Sequence, residues 1–359
     1  MSSRLQIHDP ALPQGRAALL AALQAGRVLA LPTETVPGLA VLADNPAGRR
    51  QLAELKGAPA SRPYTLHLRG MHDLRALVPS PPPGLGAWMS RRMPGPLTVV
   101  LPADWVALPK DWRWEWPAVG LRVPRHPVFQ DLASLLHAPL LMSSINPHGL
   151  APLRGTELAA WLAARPHVAV GFDPLRVPVG EASAVAAFEP LPRLLRGSLV
   201  GKDRLPGQRV LVLCSGNICR SPLAAALLER ELASAWGVRV PDLQELGWVV
   251  ASAGTFAVAD VPASESTVQA GAEIGLDLAR HRAQHVEEAL RHPWDMILAM
   301  GANHLQAVPS GVAADLFDPR GLEVPDPFGC DLAAYRLVRD QLSRAAEERV
   351  ASWCRWPER

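Results

Sequence analysis

The chain has 359 residues, 48% of them hydrophobic and 19% charged, with a formal net charge of +2. This composition excludes a disordered or fibrous chain, and the length suggests about two domains. No apolar run is long enough to span a bilayer, and Met1 to Asp9 lack the apolar core of a secretion signal, so no membrane partner and a cytoplasmic setting are expected. Charge is uneven: residues 1–200 carry 20 Lys and Arg against 13 Asp and Glu, while residues 201–359 carry 16 against 21. Two domains with different partners follow, the basic half suiting ATP or RNA.

In chain order, Gly15 to Ala25 reads as a helix stopped by Gly26, and Val28 to Leu31 as a short buried strand. Pro32-Thr33-Glu34-Thr35-Val36-Pro37-Gly38 is a polar break on an apolar background. Pro79 to Gly84 reads as a stiff surface loop. Further strands are expected at Leu97–Leu101, Gly120–Val123 and Leu140–Ser144, the last running into Ile145-Asn146-Pro147. The Trp-rich piece Trp112 to Trp116 reads as an amphipathic edge strand, with base stacking the rarer alternative. Hydroxyls, an amide and single Lys or Arg residues at strand ends suit a nucleotide cleft. Periodicity alone gives an α/β domain with a polar site.

The motifs extend this reading. Thr33-Glu34-Thr35-Val36 with Gly38-Leu39, Leu55-Lys56-Gly57, Arg62-Pro63 with His67, Pro94-Gly95-Pro96-Leu97-Thr98, Arg122-Val123-Pro124, Ser144-Ile145-Asn146 and Leu195-Arg196-Gly197 recur in order. Residues 10–198 resemble the YrdC/Sua5 family of threonylcarbamoyl-AMP synthases. The resemblance implies a twisted open α/β sheet and a reaction of ATP, alone or with magnesium, with threonine and bicarbonate, serving tRNA modification. It also implies tRNA or other RNA, including double-stranded RNA, as a partner. It places Thr33, Thr35, Lys56, Arg62, Arg122, Ser144, Asn146 and Arg196 around nucleotide and threonine, where cations balance phosphate charge. The chain departs from the family pattern at Pro37, Met93, Ala184 and Ala58, the last in place of a phosphate-facing arginine. Arg62 is a candidate substitute. A domain that binds nucleotide or RNA without catalysis is the alternative.

A glycine-rich stretch from Arg196 to Gly207 separates the halves. The expected domains are 1–198 and 208–359, with 199–207 as linker. The second opens with Val210-Leu211-Val212-Leu213-Cys214-Ser215-Gly216-Asn217-Ile218-Cys219-Arg220-Ser221-Pro222. This reads as strand, tight loop and helix, with Ser221 a natural N-cap and Pro222 suited to the first turn. The loop at the helix N-terminus is a cup for a phosphate dianion, Arg220 can clamp two oxygens, and the positive surroundings favour a Cys214 thiolate. Gly216 and Asn217 tolerate left-handed backbone. Asp326, in Val324-Pro325-Asp326-Pro327-Phe328-Gly329, is the best candidate general acid. All four cysteines lie in this half without a Cys-x-x-Cys pair, so zinc is not expected and a reducing compartment fits.

With Ser252-Ala253-Gly254-Thr255, His281-Arg282-Ala283 and Asp295 to Met300, these motifs cover the C-terminal half. Residues 207–356 resemble the low-molecular-weight protein tyrosine phosphatases. The resemblance implies a doubly wound, flavodoxin-like sheet of four parallel strands. It implies a phosphocysteine on Cys214, transition-state stabilisation by Arg220 and the loop N–H groups, and Asp326 as acid and then base. Ser215, Gly216, Asn217, Ile218, Cys219 and Ser221 complete the phosphate loop, with Asn217 locking it and Ser221 bonding the thiolate. No cofactor or metal is implied, and the partner is a phosphorylated protein. Cys219 could form a reversible disulfide with Cys214. Arginine phosphatases of this superfamily tend to carry Thr where Ile218 stands, so phosphoarginine is the alternative substrate. Arsenate reduction would need relay cysteines, and Cys330 and Cys354 both follow the acid. Phe328 offers an aromatic wall.

Overall fold

The structure, a computed structural model, describes residues 5–57, 63–109, 112, 116–146, 150–177, 180–189, 191–197 and 207–356. The chain divides into two compact units, residues 1–81 with 89–201, and residues 202–359 with 82–88.

The first unit is built on α1 (Pro13–Gln24), β1 (Leu29–Leu31), β2 (Gly38–Leu42), α2 (Pro46–Lys56), β3 (Thr65–His67) and α3 (Met71–Leu77). After α4 (Pro83–Arg92) come β4 (Leu97–Pro102), β5 (Ala118–Arg122), α5 (Pro127–Ala133), β6 (Leu140–Ser144), α6 (Gly155–Ala163), β7 (Ala169–Val170), β8 (Ala184–Phe188) and β9 (Pro192–Arg196). The nine strands form one mixed sheet in the order β7-β1-β2-β6-β3-β5-β4-β8-β9. The helix ends follow local chemistry. Asn45 caps α2 by accepting from Gly48 N at 3.0 Å, Pro46 fills the first turn, and Gly57 closes it at φ +57°. Leu19, Leu23, Leu31, Phe129 and Leu140 pack α1 and α5 onto one sheet face. β1 thus begins one residue after the expected strand, and the strands expected at 97–101, 120–123 and 140–144 are present.

Two expectations fail here. Pro83 and Gly84 start α4 rather than finishing a surface loop, because proline suits a first helical turn as well as a turn. Trp116 is buried outside any strand and Trp112 packs on the core cluster, while residues 113–115 lie outside the described residues.

The second unit alternates β10 (Arg209–Cys214), α7 (Arg220–Trp236), β11 (Val249–Gly254), α8 (Glu265–Ala272), α9 (Val286–Ala289), β12 (Met296–Ala299), α10 (Ala302–Leu305), β13 (Ala313–Leu316) and α11 (Leu332–Trp353). Its sheet is parallel throughout, in the order β11-β10-β12-β13. Val210 to Leu213 are wholly buried, as a central parallel strand covered on both faces requires. Crossover connections bring the carboxyl ends of β10, β11 and β12 to one edge, where an open parallel sheet forms its crevice. Ser221 is not the N-cap. The helix begins at Arg220 with Cys219 at the cap, and the Ser221 hydroxyl is engaged by the Cys214 thiol instead.

The segment between β13 and α11 carries Asp326 and is pinned by Asp318, whose side chain is fully buried. Its carboxylate accepts from Arg320 N (3.0 Å), Nε (2.9 Å) and Nη2 (2.7 Å), and from Gln341 Nε2 on α11 (3.3 Å). The Arg320 fork outweighs burial and holds the carboxyl down at about 2. A depressed carboxylate stabilises the fold above its ordinary titration range, and that contribution is lost as pH falls through the folded value. Asp318→Asn should therefore cost about 1–2 kcal/mol at pH 7, allowing for the partly exposed Arg320. The gap from the parent should close between about pH 4 and pH 2, as read by chemical denaturation at each pH.

Candidate active sites

Cys214 ends β10, 2% exposed, under the loop that leads to α7. Asn217 holds that loop. It sits at φ +54°, its N–H donates to Cys214 Sγ (3.2 Å), and its Nδ2 donates to Ser221 Oγ (2.9 Å) and Ser252 Oγ (2.8 Å). Its Oδ1 accepts from Gln284 N (2.9 Å), and His281 Nε2 donates to its carbonyl (2.7 Å). Burial, first, keeps His281 below the ordinary imidazole value. Ser221 Oγ lies 3.0 Å from Cys214 Sγ; since it accepts from Asn217, its proton is free to face the sulfur. The Ala253 carbonyl is its longer alternative at 3.4 Å. The backbone N–H groups of Gly216, Ile218 and Cys219 have no acceptor among the described residues. They form a nest of donors at the head of α7.

Arg220 is 6% exposed. Its Nη1 donates to Val324 O (3.1 Å), and its Nη2 donates to Ser215 Oγ (3.2 Å) and to Asp326 Oδ2. Its buried Nε has no acceptor among the described residues. Asp326 is half exposed, and its Oδ1 accepts from Phe328 N (3.2 Å). A cavity of about 210 Å³ is lined by Cys214, Ile218, Arg220, Asp326, Phe256 and Phe328, among others. Phe256 and Phe328 are 79% and 68% exposed, so two aromatic rings stand at its mouth. Sequence reasoning missed Phe256, which follows Ser252-Ala253-Gly254-Thr255 without a periodic signal. Cys219 also lines the cavity, but its Sγ contacts Ser264 Oγ and Tyr335 OH, each at 3.5 Å, and none of the four cysteines is in a disulfide.

The first unit has a cleft of about 160 Å³ at the ends of its central strands, lined by Thr33, Thr98, Arg122, Ser144, Ser183 and Arg196, among others. Arg122 Nη2 donates to Glu34 Oε1 and to Thr35 Oγ1, both at 2.9 Å, and its buried Nε has no acceptor among the described residues. Burial pulls this guanidinium below its ordinary value, against the pull of Glu34. His67, buried beside it, is pushed down to about 3 by burial first and Arg122 second. Arg196 is held by Ser183 through Nε to the carbonyl (3.2 Å) and Nη2 to the hydroxyl (3.3 Å). Lys56, Thr35 and Asn146 stand behind the wall. Lys56 Nζ donates to Ser144 O and Asn146 Oδ1, both at 2.8 Å, and to Asn146 O. Arg62 and Ala58 lie outside the described residues. Glu34, the ion partner of Arg122, was visible only as part of its motif.

Comparison with known proteins now separates the units. Residues 209–353 match the family model described as low molecular weight phosphotyrosine protein phosphatase. Residues 21–198 match that of Sua5/YciO/YrdC, described as telomere recombination. The chain belongs to the low molecular weight phosphotyrosine protein phosphatase family through its second unit, fused behind a Sua5/YrdC-like domain. It is 32% identical over 144 residues to the probable low molecular weight protein-tyrosine-phosphatase EpsP of Ralstonia nicotianae, covering 38% of this chain and 90% of that one. It is 29% identical over 206 residues to threonylcarbamoyl-AMP synthase of Bacillus subtilis, 57% of this chain and 58% of that one. With the human synthase it shares 37% identity over 133 residues, 36% of this chain and 45% of that one. The chain thus spans between about half and three-fifths of these synthases. Among solved structures, the tyrosine phosphatase Wzb from Escherichia coli K30 in complex with sulphate shares 32% identity over 41% of this chain and 97% of that one, with a TM-score of 0.34.

Gly254, at the end of β11, lets the loop close. A Cβ there would stand 2.4 Å from Ser215 O and 2.8 Å from Asn217 N, both backbone atoms. Gly254→Ala should push the loop outward and weaken inorganic phosphate binding by about tenfold in calorimetry, since overpacking costs about 1–3 kcal/mol.

Proposed function

We propose that the second unit hydrolyses protein phosphotyrosine through a phosphocysteine. The observation that carries this reading is a buried thiol beneath unpartnered N–H donors, with the free Arg220 Nε beside it. The Cys214 thiolate attacks phosphorus, the S–P bond forms and the P–O bond to the phenol breaks. Asp326 gives its proton to the leaving oxygen, after leaving Arg220. As carboxylate it then takes a proton from water, whose oxygen attacks phosphorus and releases the thiolate and inorganic phosphate. The loop donors and Arg220 stabilise the charge on the transferring group. Ile218 gives a guanidinium no polar partner, which favours an aryl ester, and the rings of Phe256 and Phe328 offer that ester faces to pack against.

For the first unit we infer formation of threonylcarbamoyl-adenylate and pyrophosphate from ATP, threonine and bicarbonate, with tRNA as the eventual acceptor. The support is the cleft itself, where Arg122 and Arg196 supply positive charge and Thr33, Thr98, Ser144 and Ser183 supply hydroxyls. This donor set suits anions rather than a metal ion, so magnesium would be carried by the nucleotide's own phosphates.

Cys214→Ser should abolish hydrolysis of phosphotyrosine peptides while keeping phosphate binding, and Asp326→Ala should slow poor leaving groups at least about tenfold more than good ones. Turnover surviving the serine variant, or faster turnover on phosphoarginine peptides, would count against this assignment. Pyrophosphate release should require ATP, threonine and bicarbonate together; release without threonine would reject the synthase reading, and nucleotide binding without release would leave a binding module.

A further inference from the structure

We propose that His304 positions Arg220 through Ser215, and that this pair holds the guanidinium when Asp326 turns to the leaving oxygen. The inference rests on the phosphatase reading and assigns the residue that keeps its arginine in place.

His304 lies on α10, 2% exposed, 90 positions from the nucleophile in sequence but beside it in space. Its Nε2 stands 3.0 Å from Ser215 Oγ, and its Nδ1 has no partner among the described residues. The ring therefore directs its one side-chain hydrogen bond at the phosphate loop. Arg220 fixes one of the serine's two roles here, and a neutral His304 ring fixes the other. A guanidinium only donates, so Ser215 Oγ accepts from Arg220 Nη2 at 3.2 Å. The serine proton is then left for His304 Nε2, which can accept it on a neutral ring. Burial, first, and Arg220, second, hold His304 below the ordinary imidazole value, against Gly301 O, Asp326 and Glu323. Neutral His304 thus turns the Ser215 lone pairs toward the arginine.

The need for this anchor comes from Asp326. That carboxylate shares Arg220 Nη2 with Ser215 in the structure. A general acid must be protonated and aimed at the leaving oxygen, so it cannot also hold the arginine. Arg220 then keeps two contacts, Val324 O through Nη1 and Ser215 through Nη2. The second is the one whose direction a side chain sets.

The test uses the full chain, with p-nitrophenyl phosphate turnover and calorimetric binding of inorganic vanadate. His304→Ala should lower kcat and vanadate affinity by about five- to tenfold, the scale of one hydrogen bond. Ser215→Ala should match it, and the double variant should lose no more than either alone. His304→Gln, whose amide reaches the Nε2 position, should recover most of the loss. In the Asp326→Ala background the effect of His304→Ala on vanadate affinity should grow. Additive losses, no recovery by Gln, or an equal or smaller effect without Asp326 would overturn the proposal. Vanadate binding is read without turnover, so absent hydrolysis by the parent would reject the phosphatase reading and leave this inference separately measurable. Should His304→Ala fail to fold, Ser215→Ala and His304→Gln carry the same comparison.

Discussion

The second unit depends on the backbone of one residue. Asn217 in the left-handed region is unfavourable for a residue with a side chain, by about 1–2 kcal/mol. Five hydrogen bonds hold it there, and together they reach four parts of the unit: the end of β10, the first turn of α7, β11, and the segment before α9 through His281 and Gln284. At about 1 kcal/mol net each, they outweigh the backbone cost. The result is that neighbouring N–H groups turn inward without partners of their own. The bonds of Asn217 offset part of the cost of leaving those donors unsatisfied.

The two units solve a common problem in the same way. Each buries an arginine in a cavity wall, Arg122 in one and Arg220 in the other. In both, Nη2 donates to a carboxylate and a hydroxyl, Glu34 with Thr35 and Asp326 with Ser215, while Nε has no partner among the described residues. The carboxylate offsets the cost of burying charge, and the hydroxyl fixes the plane of the fork. The difference lies in exposure. Glu34 is mostly shielded, whereas Asp326 is half exposed and on a loop, so only the second carboxylate is placed to change partners.

The legible part of each site was the part encoded within a few residues. Cys214 to Ser221 is a contiguous loop, so its spacing carries its geometry. Asp326 was legible because proline on either side leaves an aspartate few conformations. Ser221 was misread as a cap because capping is the commoner use of serine before proline, while its bond to the thiol came only from the family resemblance. Phe256 reaches the cavity, and His304 the Ser215 hydroxyl on its loop, through parallel crossovers of some tens of residues, and no local pattern marks them. In the first unit β1, β4, β5 and β6 were visible as apolar runs, the other strands were not, and the order of the sheet follows from long-range pairing. Likewise, Lys56 looked like a phosphate ligand by type, and its carbonyl partners come from β6 and the turn after it, far along the chain.

The chain has two tyrosines, Tyr64 and Tyr335, and they are 7% and 6% exposed. The aromatic rings at the mouth of the phosphatase cavity are phenylalanines, which have no hydroxyl to esterify. A tyrosine kinase acting on the folded protein would therefore find no acceptor on its surface, at the rim or elsewhere among the described residues.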